Sequence, residues 1–175
     1  MKTNVALIGF MGVGKSAVGK ILADDLKKKF SETDFIIAQK AGKTIPQIFR
    51  EDGEIAFREK EIEVVKEIAG GNNQVIACGG GVVLNKINID RLRQTGVTVW
   101  LTASPAIILG RIVSDGEARP LIPAKVTLSD IRALMTFRKP YYQRASDIEV
   151  DTSTPDIEAI VRQIIDKLCK NADFN

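Results

Sequence analysis

The sequence predicts an α/β fold: three α/β/α layers around a central five-stranded parallel sheet. Three observations carry that prediction. Short apolar runs alternate with amphipathic stretches along the chain, the pattern of strands joined by crossover helices. The run 97–101, VTVWL, is nearly all apolar, as a strand buried on both faces should be. The chain has 175 residues, 45% of them apolar, which suits one domain with a real core.

The elements follow in order. An apolar strand near 3–8 runs into a glycine-rich segment, and a helix is expected over 15–29. Lysines 27–29 read as the solvated end of that helix, where cations suit the dipole. A short strand near 30–33 precedes helices between 34 and 70. The apolar run 74–78 is the third strand, and three glycines stand directly behind it. A helix near 88–95, the strand 97–101 and a helix over about 105–113 come next. The stretch 114–126, SDGEARPLIPAKV, breaks the alternation with Gly116, Pro120 and Pro123 among charges. It reads as a linker or as a mobile loop over a site, and two flanking arginines favour the loop. A helix, a strand and a helix complete the chain, with no internal repeat and no low-complexity tract.

Composition narrows the chemistry. There is no histidine, so the commonest general base and metal ligand is absent and a proton acceptor is expected to be a carboxylate. Cys78 and Cys169 have neither disulfide-framework density nor metal spacing, which implies reduced thiols in a cytoplasmic protein. No apolar run reaches membrane-spanning length, and the apolar start breaks into glycines too early for a signal peptide. A net charge of +3 from dispersed residues gives no support to nucleic-acid binding.

Gly9–Ser16, GFMGVGKS, fits GxxxxGK[ST] between a strand and a helix. Such a loop curls its backbone N–H groups around a nucleotide's phosphates, and the following helix N-terminus adds favourable partial charge. Lys15 then lies at the transferred phosphate and Ser16 ligates Mg2+. The expectation is a P-loop NTPase fold that binds a nucleoside triphosphate. In FSETDF, 30–35, Glu32 and Asp34 are two apart and share one side of an extended chain. One could hold Mg2+ through water and the other accept a proton from a substrate hydroxyl. The run Gly79–Gly81 reads either as a tight turn or as backbone that something approaches closely. Arg58 in GEIAFREKE and Arg138, ahead of Pro140 near an expected helix end, are the side chains suited to bidentate carboxylate or phosphate recognition.

Taken in order, GFMGVGKS, Thr33–Asp34, GExxFRxxE at 53–61, GGG at 79–81, RPLI at 119–122 and RKPYY at 138–142 resemble shikimate kinase, a small P-loop kinase family. The resemblance covers the chain without a long unmatched segment. It implies transfer of the ATP γ-phosphoryl group to the 3-hydroxyl of shikimate. It also implies ATP contacts from Gly12, Val13, Gly14, Lys15, Ser16, Ala17, Arg111 and Arg119, with Arg111 near adenine and Arg119 on a mobile lid, about 112–126. Asp34, Arg58 and Arg138 would hold shikimate, the arginines on its carboxylate and Asp34 on a ring hydroxyl. Gly80 and Gly81 would admit the substrate against the backbone. Lys15, Asp34 and Arg119 form the implied catalytic set, and Ser16 with Glu32, through water, the metal set. Asp151, Thr152, Ser153 and Pro155 resemble the adenine-side loop. The resemblance further implies a cytoplasmic monomer with a small-molecule substrate and no nucleic-acid or membrane partner.

One departure stands out. The family usually carries Asp-x-Asp after its second strand, whereas this chain has Glu32-Thr33-Asp34, whose first acid reaches one methylene further. Gln143 is a smaller departure. Competing readings are a gluconate or nucleoside monophosphate kinase, a non-catalytic ATP-binding member, and a GTP switch, for which NKIN at 85–88 nearly matches a guanine-reading motif but ends on Asn88.

Overall fold

The computed structural model describes residues 1–115, 120 and 125–174. Its centre is β1 (Asn4–Gly9), flanked by β3 (Gln74–Ala77) on one side and β4 (Gly96–Thr102) on the other. The edges are β2 (Lys29–Glu32) and β5 (Ile148–Asp151), giving the order β2-β3-β1-β4-β5 with every pairing parallel. The predicted five-stranded parallel sheet is therefore present.

Side-chain alternation along β1 builds the layers. Val5 and Leu7 enter one core with Val18 and Leu22 of α1 (Lys15–Asp25) and Ile160 and Ile164 of α8 (Ile157–Cys169). Ala6 and Ile8 enter the other with Val64 and Val65 of α4 (Gly53–Ala69) and Leu92 of α5 (Lys86–Thr95). A strand buried on both faces is apolar at most positions, which is why these runs show no regular polar alternation. The order reverses at β1, so the crevice beyond its C-terminal end is where an open α/β sheet accommodates a ligand.

The remaining helices are α2 (Thr33–Ala41), α3 (Ile45–Glu51), α6 (Pro105–Asp115) and α7 (Leu128–Ala145), with a 3-10 turn at Val82–Leu84. Both α3 and α7 start on capping boxes, Thr44 with Gln47 and Thr127 with Asp130, each satisfying backbone donors at the helix start.

Three sequence expectations need correction. Helix α1 stops at Asp25 rather than 29, because Lys27 turns left-handed (φ 55°) and the Lys28 N–H closes back on the Ala23 carbonyl. Strand β2 ends at Glu32, so Asp34 lies in the first turn of α2 and not beside Glu32 on an extended chain. The Thr33 hydroxyl accepts the Gly79 N–H at 2.8 Å and anchors that switch. Pro140 does not end a helix near Arg138; α7 continues to Ala145, losing only the bond that Pro140 lacks an N–H to make. Of the predicted lid 112–126, residues 112–115 are the last turn of α6, whereas 116–119 and 121–124, Arg119 included, lie outside the described residues. Both cysteines are free thiols, Cys78 buried and Cys169 exposed.

Candidate active site

The loop after β1 is shaped by backbone that other residues resist. Gly9, Gly12 and Gly14 have φ of 148°, 73° and 100°, and a Cβ on Gly9 would lie 2.5 Å from the Leu101 carbonyl oxygen. Lys15 folds back inside the loop, its Nζ donating to the carbonyls of Gly9 (2.9 Å) and Phe10 (3.0 Å). The Ser16 hydroxyl donates to Glu32 Oε1, joining the start of α1 to the end of β2. Thus Glu32 and Ser16 meet although the extended-strand argument that paired Glu32 with Asp34 does not hold.

Beside the loop opens a cavity of about 1280 Å³. Gly12, Gly14, Lys15, Ser16, Ala17 and Arg111 line its phosphate-loop end, and Glu32, Asp34, Arg58, Gly80, Gly81 and Arg138 line the rest. Every expected site residue among the described ones reaches this cavity except Val13 and the weakly matched 151–155 loop. Val13 is fully buried, and its N–H is given to the Phe10 carbonyl at 3.3 Å. NKIN also lies elsewhere. Asn85 caps α5 by accepting the Ile87 N–H, and Asn88 is buried, so no guanine-reading edge faces the cavity.

The three glycines make room for charged side chains. A Cβ on Gly79 would lie 2.6 Å from Asp34 Oδ1, and one on Gly81 would lie 2.6 Å from both terminal nitrogens of Arg58. At Gly80 the nearest atom is the Met11 amide nitrogen, 3.3 Å away. None of the three has a positive φ, so space and not conformation requires glycine here.

Around them sits an unusual charge cluster. Arg58, on α4, pairs with Glu54 and Glu61, both at 3.1 Å. Glu61 is 1% exposed, and burial pushes its carboxyl up to about 7 against the pull of Arg58. Burial likewise raises the Asp34 carboxyl; Lys15 pulls it down, Glu32 pushes it up and Arg58 pulls it down again. Asp34 Oδ1 has no hydrogen-bond partner among the described residues. Arg138 is 3% exposed, its guanidinium 5.6 Å from the Phe10 ring, yet Nε and Nη1 have no partner there either. Such a buried cation with unmet donors needs an anion. Tyr142 steadies this wall by donating to the Gly80 carbonyl at 2.6 Å.

At the other end, Arg111 Nη2 donates to the Thr152 carbonyl at 2.7 Å and Nη1 to the Val13 carbonyl at 3.3 Å. The Thr152 hydroxyl also donates to Val13, at 2.8 Å. Arg111 and Thr152 therefore brace the loop from behind. Glu61 and Tyr142 are site residues to which sequence reasoning gave no role, although they close the motifs GExxFRxxE and RKPYY. Glu61 stands three residues after Arg58 on a helix, a spacing that brings the two together and was the available signal.

The chain matches the family model described as shikimate kinase over residues 11–169. A shikimate kinase of Symbiobacterium thermophilum is 41% identical over 94% of this chain and 95% of its own length. That of Geobacter sulfurreducens is 44% identical over 92% and 88%. Among solved structures, shikimate kinase from Acinetobacter baumannii in complex with shikimate superposes with a TM-score of 0.92 at 31% identity, covering 98% of this chain and 96% of the other. A gluconokinase from Sinorhizobium meliloti superposes at 0.60 with 19% identity, a likeness of fold alone.

Proposed function

The chain belongs to the shikimate kinase family, and we propose from that membership that it transfers the γ-phosphoryl group of ATP to the 3-hydroxyl of shikimate, giving shikimate 3-phosphate and ADP. The observation that carries the residue assignment is Arg138. A buried guanidinium with two unmet donors, in the same cavity as a phosphate loop, suits a compact carboxylic acid. Arg58 joins it on the substrate carboxylate, held in place by Glu54 and Glu61.

The substrate hydroxyl oxygen attacks the γ-phosphorus as the bond to the β–γ bridging oxygen breaks, and ADP leaves with that electron pair. Asp34 Oδ1 takes the hydroxyl proton, a role suited to a carboxylate whose burial has raised its proton affinity. Lys15 moves from the Gly9 and Phe10 carbonyls to the phosphates, and the N–H groups of Gly12, Gly14, Lys15, Ser16 and Ala17 hold them. Arg111 lies toward adenine. Arg119, in the lid we assign to 112–126, neutralises the transferring phosphoryl group.

The donor set fits Mg2+. Ser16 and Glu32 bring a hydroxyl and a carboxylate oxygen together, and no cluster of three His, Cys, Asp or Glu exists among the described residues. Mg2+ is typically held by one or two carboxylates plus substrate phosphates, which is what these two residues would supply. When bound, the ion neutralises charge on the β- and γ-phosphate oxygens. No described helix is long and apolar enough to cross a membrane, and we assign the protein to the cytoplasm as a monomer.

The test is ADP release with magnesium, comparing shikimate, gluconate, a nucleoside monophosphate and no acceptor. Strong stimulation by shikimate alone is expected. Stimulation by gluconate or the nucleotide instead would reassign the substrate, and none from any acceptor would make this a non-catalytic member.

A further inference from the structure

A second cavity, of about 390 Å³, lies against the end of β4 and one face of α7. Its apolar walls are mainly aliphatic but include three aromatic residues, Phe10, Trp100 and Tyr142, with Trp100 stacked on Tyr142 at 5.7 Å between ring centroids. Helix α7 contributes Arg132, Met135, Thr136 and Lys139, spaced i, i+3, i+4 and i+7 and so on one face. Arg132 and Lys139 are exposed, and the structure gives neither an ion pair among the described residues. Glu149 is the only carboxylate in the lining, which leaves one net positive charge.

We propose that this cavity binds a small aromatic monocarboxylate and that its occupancy is felt in the substrate site. The size falls at the low end of ligand cavities, which selects one ring and a short chain. Flat, polarisable walls suit an aromatic ring. Two cations bracket the mouth for a carboxylate, and Glu149 disfavours a phosphate or a dicarboxylate by like-charge repulsion. The link to the substrate site runs through two of these walls, each of which touches a residue lining the larger cavity. The Phe10 ring carries the Arg138 guanidinium, and Tyr142 holds the Gly80 carbonyl. A ligand that shifts Phe10 or Tyr142 changes where Arg138 and Gly80 stand, so its affinity and that of shikimate are coupled by one reciprocal factor.

Trp100 is the single tryptophan of the chain and lines this cavity, so its fluorescence reports on it. The probe is 3-phenylpropionate, titrated into the whole protein with and without shikimate. A saturable change in Trp100 emission is expected, weakened about tenfold or more in the double variant Arg132→Gln, Lys139→Gln. That variant should keep its melting temperature and its activity without the probe. Rising shikimate should move the probe midpoint by a factor that levels off. No saturable change would overturn the proposal, as would equal binding to the double variant. A midpoint that climbs without limit in proportion to shikimate would also overturn it, because the probe would then be occupying the substrate arginines.

Discussion

Replacing Arg138 by methionine should make the free protein more stable while removing its substrate. The guanidinium is 3% exposed, and two of its nitrogens have no hydrogen-bond partner among the described residues. Replacing buried charge by a well-packed apolar chain of similar length commonly gains about 1–4 kcal/mol. Against this stands the loss of the contact with the Phe10 ring at 5.6 Å, about 1 kcal/mol. The net is a gain of up to about 3 kcal/mol, or up to roughly 12 °C in melting temperature for a chain of this size. In the bound state the sign reverses. A desolvated charge pair with the substrate carboxylate contributes on the order of 2–5 kcal/mol, so shikimate affinity should fall at least about 30-fold. Thermal melts with and without shikimate read both effects at once. An Arg138→Met protein that melts below the wild type, or that shikimate still stabilises by the wild-type increment, would refute the reasoning.

Gly81→Ala places a Cβ 2.6 Å from both Arg58 nitrogens without backbone strain, since φ is −98°. The flexible guanidinium should yield, raising the KM for shikimate about tenfold or more with little change in the KM for ATP or in melting temperature; steady-state kinetics on both substrates check it. Glu61 titrates near 7 in the folded protein against 4.5 ordinarily, so the folded state binds the extra proton between those values. Stability should therefore fall as pH rises from about 4.5 through 7, and Glu61→Gln should flatten that slope in melts across the range. Glu32→Asp withdraws the carboxylate from Ser16 and should shift the magnesium dependence of turnover on the order of tenfold; an unchanged midpoint would count against Glu32 as a metal residue. Arg119→Ala should lower kcat about tenfold or more, and turnover within about twofold of wild type would remove it from the catalytic set.

The phosphate loop was legible because its chemistry is local: eight consecutive residues carry the turn, the cation and the hydroxyl. The sheet was legible for a similar reason, since a doubly buried strand is apolar at most positions. Where the reading failed, a tertiary contact had overruled a local pattern. Alternation put Glu32 and Asp34 on one strand, but the Thr33 hydroxyl reaches Gly79, 46 residues away, and starts a helix between them. The role of Gly79–Gly81 was half legible. Three glycines announce close approach, yet only the fold shows that Asp34 and Arg58 fill the space. Arg58 and Arg138 are 80 positions apart, and resemblance to a family, not any spacing, paired them. Tyr142 stood in the RKPYY motif without a role, because its importance lies in a carbonyl 62 residues away.

The position of Lys15 has a calorimetric consequence. Its ammonium already makes two charge-assisted bonds, to Gly9 and Phe10, so the loop is held in shape from within before any nucleotide arrives. Arrival is thus an exchange of acceptors, carbonyl for phosphate, around a frame that does not need to fold. The heat released should be smaller than a count of new phosphate contacts suggests, and the accompanying loss of chain entropy smaller as well.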